Sequence, residues 1–121
     1  MDSWESGRST IEYLLDGGRL EHLADGGLEQ STNGILDRAT KRLSTARLGL
    51  DGGDPDGAYV SAYDAYRMAA ESLLIRQALR ATGGDGSHVA LEDAIAAQFS
   101  EVIPQFSKPI LQTVAVRSAK N

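Results

Sequence analysis

Few side chains in this sequence can move protons or bind metal near neutral pH. There are two histidines, His22 and His88, and no cysteine. His88 follows a glycine-rich stretch at residues 83–86, so Arg80, Asp85 and His88 can converge across that loop. A helix N-terminus disfavours a protonated imidazole, so a cationic role for His88 is not helped there. The alternative is that Ser87 is only a cap and both histidines are surface residues.

The remaining patterns argue against metal and cofactor chemistry. No histidine–carboxylate cluster has the spacing of a metal site, and no serine–histidine–acid order stands out. The stretch at residues 83–86 is not a phosphate-binding loop, because it lacks the preceding strand and the following lysine. The sequence therefore predicts no metal and no cofactor.

Basic side chains form small groups that can bind a phosphate. Arg76 and Arg80 are expected on one face of a helix. The alternative is that such cations are solvated and paired at helical spacing with Glu71 or Asp37. A second basic group is predicted on an earlier helix: Arg38, Lys41 and Arg42.

Length and composition indicate one globular domain without a membrane span. The chain has 121 residues, 41% hydrophobic and 24% charged, with a net charge of −5. Because the net charge is negative, the molecule as a whole lacks the basic surface that is typical of nucleic-acid-binding proteins. No apolar run is long enough to cross a bilayer and the N-terminus does not read as a signal peptide, so a cytoplasmic protein is expected.

The chain is organised around a predicted long helix at residues 54–81. Asp54 can cap it and Pro55 suits its first position, and neither proline nor glycine occurs between Gly57 and Gly83. At 1.5 Å per residue this helix would be roughly 40 Å long. Its apolar stripe is too long for the other helices to cover, which predicts a homodimer. The candidates for the core or dimer interface are Tyr59, Tyr63, Tyr66 and Leu73.

Shorter signals define the other elements. Residues 1–8, apart from Trp4, are predicted to be disordered, and the single domain is expected at residues 9–121. A capping box of Ser9 and Glu12 predicts a helix at residues 10–16, with one further helical turn at 19–23.

Two more long helices are expected. One starts between Ser31 and Asn33, runs to Leu50 and is closed by Asp51-Gly52-Gly53. The other is capped by Ser87 and runs to about Val102. The first has a regular apolar seam of Leu36, Ala39, Leu43, Ala46 and Leu50.

A last helix is expected after Ser107, and no strand pattern appears. The predicted fold is all-α: an antiparallel bundle of four main helices with a short N-terminal extra helix.

Four segments carry a resemblance to the HEPN family of small helical-bundle proteins. They are residues 11–23, 39–48, 54–80 and 88–99, and the most specific is D-P-D-G-A-Y-V-S-A-Y-D-A-Y-R-M-A-A-E-S-L-L-I-R-Q-A-L-R at 54–80. The resemblance implies dimerisation through long helices. It also implies either a metal-independent ribonuclease or a non-catalytic domain that binds RNA or a nucleotidyltransferase partner, as in toxin–antitoxin and defence systems.

The ribonuclease signature of the family is incomplete here. It has an arginine, usually a polar residue, four to six further residues and then a histidine, whereas seven residues separate Arg80 from His88. At the C-terminus, Arg117 and Lys120-Asn121 are followed by no histidine, and lysine lacks the planar fork of arginine.

We therefore expect a non-catalytic, dimeric HEPN-like binding domain, with a HEPN ribonuclease as the alternative. The candidate catalytic residues are Arg80, His88 and Arg117. The candidate RNA- or nucleotide-binding residues are Arg76, Arg80, Lys120 and Asn121.

Overall fold

A computed structural model describes residues 5–83 and 87–103 of the chain. About 70% of the described residues are helical, in four helices with one small two-stranded sheet. The elements in chain order are α1 (Arg8–Asp16), β1 (Leu20–His22), α2 (Leu28–Asp51), α3 (Pro55–Ile75), β2 (Leu79–Ala81) and α4 (Ser87–Phe99). The prediction of a mostly helical fold is confirmed, whereas the predicted last helix and Trp4 lie outside the described residues.

Helix α1 begins at Arg8, not at Thr10 as predicted, and the capping box of Ser9 and Glu12 is not its start. Its N-cap is Gly7, in a left-handed conformation with no side-chain cap. A Cβ on Gly7 would lie 2.7 Å from the backbone carbon of Ala97, so the close approach to α4 requires glycine there. Tertiary packing, rather than a capping side chain, therefore accompanies the start of α1.

Helices α2 and α3 pack against each other as a hairpin. Helix α2 starts at Leu28, earlier than the predicted start at residues 31–33, and ends at Asp51, where the predicted Asp51-Gly52-Gly53 stop begins. Its face toward α3 consists mainly of small or branched side chains that are buried: Ile35, Ala39 and Ala46. At the turn end, a Cβ on Gly49 would lie only 3.3 Å from the Ala58 Cβ, which shows how closely the two backbones approach.

The start of α3 agrees with the sequence, and its end does not. The Asp54 carboxylate accepts a 3.0 Å hydrogen bond from the Gly57 amide, with Pro55 in the first turn. The helix ends at Ile75 and does not continue to Ala81. Ala78 then adopts a φ of 58°, a left-handed conformation that costs a non-glycine residue about 1–2 kcal/mol.

A two-stranded antiparallel ribbon replaces two predicted helical segments. β1 occupies the predicted turn at residues 19–23, and it pairs with β2 in the register Leu20 to Ala81 and His22 to Leu79. The Thr82 hydroxyl extends the pairing by donating to the Gly18 carbonyl at 2.9 Å. Strands of three residues are too short for an alternating pattern to be recognised.

Helix α4 is the centre of the main core. It runs from Ser87 to Phe99, so Ser87 lies within the helix, which ends three residues before the predicted Val102. Ala94 and Ile95 are completely buried. The core cluster combines α1, the ribbon, the C-terminal half of α3 and α4: Ile11, Leu14, Leu20, Ala70, Leu74, Leu79, Ala90, Leu91, Ala94, Ile95 and Ala96. Helix α2 contributes no residue to this cluster.

Candidate functional site

A cleft of about 310 Å³ opens between the C-terminal half of α3, β2 and the N-terminus of α4. Leu74, Ile75 and Leu91 form its apolar part. Its polar lining comes from all three elements: Arg67, Glu71, Arg80, Thr82, Ser87 and His88. The volume is at the small end of the range for ligand pockets, so the cleft fits a compact molecule.

Arg80 and His88 both line the cleft. Arg80 is on β2, however, and not on one helical face with Arg76. Its Nε donates a hydrogen bond to a Glu21 carboxylate oxygen on the neighbouring strand. His88 is exposed in the first turn of α4, and Asp85, the third predicted member, lies outside the described residues.

An ion pair on α3 forms the other polar wall. The Arg67 Nε lies 3.6 Å from a Glu71 carboxylate oxygen, and an Arg67 terminal nitrogen lies 4.0 Å from Asp64. Both distances exceed those of a hydrogen bond. The Arg67 Nε is enclosed and has no hydrogen-bond partner within residues 5–83 and 87–103. Buried polar nitrogens without partners are rare in proteins, so this one marks an incompletely satisfied site.

The Glu71 carboxyl is in an unfavourable environment for its charge. Burial raises its pKa above the ordinary value, and the neighbouring Arg67 and Arg38 only partly oppose that effect. A carboxyl group that lines a cleft and whose pKa is raised by burial is typical of binding sites.

Tyr63 lies on the other side of Arg67, against α4. A small void of about 20 Å³ separates it from His88, Leu91 and Glu92. Burial raises the pKa of the Tyr63 hydroxyl, and the charge of Glu92 adds to the effect. Tyr63 is therefore half-buried within the chain and lines this void, and it does not line the cleft.

The other predicted site residues are dispersed. Arg76 is exposed at the C-terminal end of α3 and does not line the cleft. Tyr66 and Leu73 pack against the core cluster, and Tyr59 is half-buried near the start of α3. Three candidates lie outside the described residues: Arg117, Lys120 and Asn121.

A second surface feature was missed by the sequence argument. Leucines of the predicted α2 seam lie outside the hairpin contact: Leu36 is 41% exposed, Leu43 56% and Leu50 62%. The sequence identified a single apolar seam, whereas in the structure its alanines, Ala39 and Ala46, are buried and its leucines are exposed. The signal was present in the sequence, because these leucines recur at intervals of seven.

Two absences apply to the part of the chain that the structure describes. Residues 5–83 and 87–103 contain no group of three or more histidines or acids placed to hold a metal ion. No helix in the same ranges combines the length and apolar character needed to cross a membrane.

No protein family, curated protein or solved structure matches this chain. The functional argument therefore depends on the surface and the cleft described above.

Proposed function

We propose that this chain is a non-catalytic, dimeric binding domain of the HEPN type, which acts through a protein partner or RNA. The observation that carries the proposal is the row of exposed leucines along α2. The proposal also draws on the resemblance of residues 54–80 to that family and on the predominantly helical fold.

The leucine row has the geometry of a helix–helix interface. Leu36, Leu43 and Leu50 are each two turns apart, so they lie on one narrow stripe of α2. Thr40 and Arg47 fall between them on the same stripe. Isolated exposed leucines are ordinary. An aligned row is typical of an interface when its helix packs on one side only, as α2 does among the described elements.

The row is complementary to itself when reversed. A two-fold axis at Leu43 would place Leu36 of one copy opposite Leu50 of the other. The same axis would bring Arg47 within about two residues of rise, roughly 3 Å, of Asp37 in the second copy. A self-complementary patch of this kind favours a homodimer over an unrelated partner.

Multi-angle light scattering during size-exclusion chromatography tests the dimer. The wild-type chain should elute with twice the monomer mass, and Leu43→Asp should elute as a folded monomer. The matched control is Leu48→Asp, since Leu48 is 71% exposed on the same helix but about 140° away from Leu43 around its axis. A monomeric wild type, or equal dissociation by both variants, would remove the proposal.

The acidic charge favours a protein as the further partner. With 17 acidic and 12 basic side chains, the chain lacks the excess of cations that nucleic-acid affinity requires. A nucleotidyltransferase of a toxin–antitoxin or defence system is the partner that the family resemblance suggests. Gel-shift titration with single-stranded RNA should show weak binding that disappears at moderate salt, whereas salt-resistant binding would favour RNA.

One observation favours the alternative, a metal-independent ribonuclease: Arg80 and His88 line the same cleft. The engagement of Arg80 with Glu21 opposes it, because a phosphate would have to displace that carboxylate. Incubation of the chain with structured and single-stranded RNA in EDTA should leave the RNA intact. Cleavage that His88→Ala abolishes would establish the enzyme instead, since proton transfer by histidine typically contributes 10²–10⁴-fold.

A further inference from the structure

The Arg67–Glu71 pair presents unused hydrogen-bonding capacity at the cleft. Both side chains are 41% exposed, and both line the cavity. Among the described residues, none donates a hydrogen bond to the Glu71 carboxylate. The pair therefore offers two acceptor oxygens beside the donors of a guanidinium, and a ligand that bridges them would satisfy both.

The charges around the cleft do not favour an anion. Arg80 is engaged by Glu21, and Arg67 lies between Glu71 and Asp64. Each guanidinium thus already faces at least one carboxylate, so a phosphate would meet cations that are largely neutralised. A neutral ligand avoids that repulsion and leaves the ion pairs intact.

The apolar part of the cleft adds a constraint on shape. Three aliphatic side chains line the cavity: Leu74, Ile75 and Leu91. Leu74 and Leu91 are almost completely buried, so the apolar surface open to a ligand is mainly that of the partly exposed Ile75. A compact, planar ring can contact such a surface while its edge faces Arg67 and Glu71. The ring edge that complements Arg67 and Glu71 carries one hydrogen-bond acceptor followed by two donors. Among the nucleobases, guanine has this order in its O6, N1–H and N2–H₂ groups.

We propose that this cleft binds a guanine base, with Glu71 accepting from N1–H and N2–H₂ and Arg67 donating to O6. Glu71 is the residue that determines specificity, because a carboxylate pairs with two adjacent donors and rejects an edge that lacks them. The base can come from free guanosine or from an unpaired guanine in RNA. The inference goes beyond the proposed dimer, because the cleft is formed within one chain and does not include the leucine row.

Isothermal titration calorimetry with nucleosides provides the test. Guanosine should bind, inosine should bind about tenfold more weakly because it lacks the N2 donors, and adenosine should bind more weakly still. Glu71→Gln should lower guanosine affinity at least about tenfold. The control Glu29→Gln removes an exposed carboxylate from the first turn of α2 and should change nothing.

Further arms of the experiment separate the outcomes. His88→Trp places a larger ring at an exposed position of the cleft and should block guanosine, which tests the location of the site without a change at Glu71. A short single-stranded RNA containing one guanine distinguishes the two sources: tighter binding than guanosine, lost in Glu71→Gln, assigns the site to RNA. Equal affinities for the three nucleosides, or no binding at millimolar guanosine, would overturn the proposal, and the unpaired groups would then be hydrated.

Discussion

Gln77 and Gln98 form a reciprocal pair of hydrogen bonds between the end of α3 and α4. The Gln77 Nε2 lies 2.9 Å from the Gln98 Oε1, and the Gln98 Nε2 lies 2.6 Å from the Gln77 Oε1. The Gln77 amide also donates to the Leu73 carbonyl at 3.0 Å. Because Gln98 is only 3% exposed, its amide depends on this partner.

Removal of one amide of this pair should be costlier than removal of both. Gln98→Leu leaves the Gln77 amide with unsatisfied groups, which should lower the free energy of unfolding by about 1–3 kcal/mol. The double variant Gln77→Leu/Gln98→Leu should recover part of that loss, because neither polar partner remains. Urea unfolding of the four proteins in a double-mutant cycle measures the coupling, and additive losses would show that the pair contributes nothing specific.

Gly7, the residue before α1, should not tolerate a side chain for two reasons: its left-handed backbone conformation and its contact with Ala97. Gly7 and Gly18 both have left-handed φ values, 74° and 73°, but only Gly7 lies against Ala97. Gly18→Ala should cost about 1–2 kcal/mol from backbone strain alone. Gly7→Ala should cost the same strain energy and about 1–3 kcal/mol more, because the added methyl group would clash with Ala97. Thermal unfolding of both variants separates the effects, and similar losses would mean that α1 and α4 can move apart.

The left-handed alanine between α3 and β2 offers a stabilising substitution. Ala78 has a φ of 58°, which glycine adopts without strain. Ala78→Gly should raise the free energy of unfolding by up to about 1 kcal/mol, after the larger entropy of the unfolded glycine chain is subtracted. The same exchange within α3, Ala62→Gly, should instead cost about 1 kcal/mol. Destabilisation by Ala78→Gly in chemical denaturation would indicate that the Ala78 methyl group makes a contact worth more than the strain.

Stability should depend on pH through Glu71. Its carboxyl has a raised pKa in the folded chain, so the folded state holds the proton more tightly than the unfolded state does. The free energy of unfolding should therefore fall as pH rises from the ordinary glutamate pKa through the raised one. Glu71→Gln should abolish this fall and be the more stable protein near neutral pH.

Unfolding by guanidinium chloride at acidic and neutral pH measures how the free energy of unfolding depends on Glu71. The control is Glu29→Gln. Glu29 is exposed in the first turn of α2, where its charge is favourable. If the two variants change the pH dependence equally, Glu71 is not the responsible group.

The parts of the fold that the sequence predicted are those determined locally. Asp54 and Pro55 define a helix start by their own chemistry, and Asp51-Gly52 defines an end. The end of α3 at Ile75 has no such signal, because no glycine or proline lies between Gly57 and Gly83. The helix stops there because β2 pairs with β1, a contact that depends on residues far along the chain.

The α2 seam and the cleft likewise depend on contacts between elements, which the sequence pattern does not determine. The α2 seam predicted an apolar face correctly, but periodicity cannot say which of its neighbouring stripes meets α3. In the structure Ala39 and Ala46 are buried and Leu43 is exposed, and Gly49 lies close to Ala58 at the end of the hairpin. Arg80 and His88, which the sequence placed on either side of a loop, both line the cleft. The contribution of Glu71 was not visible from the sequence, because Arg67 and Glu71 at helical spacing are ordinary on an exposed helix.

The ribbon has a consequence for the order in which the chain folds. Arg80 and Glu21 meet across 59 residues, whereas α2 and α3 are joined by a connection of three residues at 52–54. Closing the longer loop costs more chain entropy before any contact forms, so the hairpin should assemble first and the ribbon last. Native-state hydrogen exchange should then find the amides of Leu23 and Thr82, which bond to Ala78 and Arg19, opening at lower free energy than those in the middle of α3.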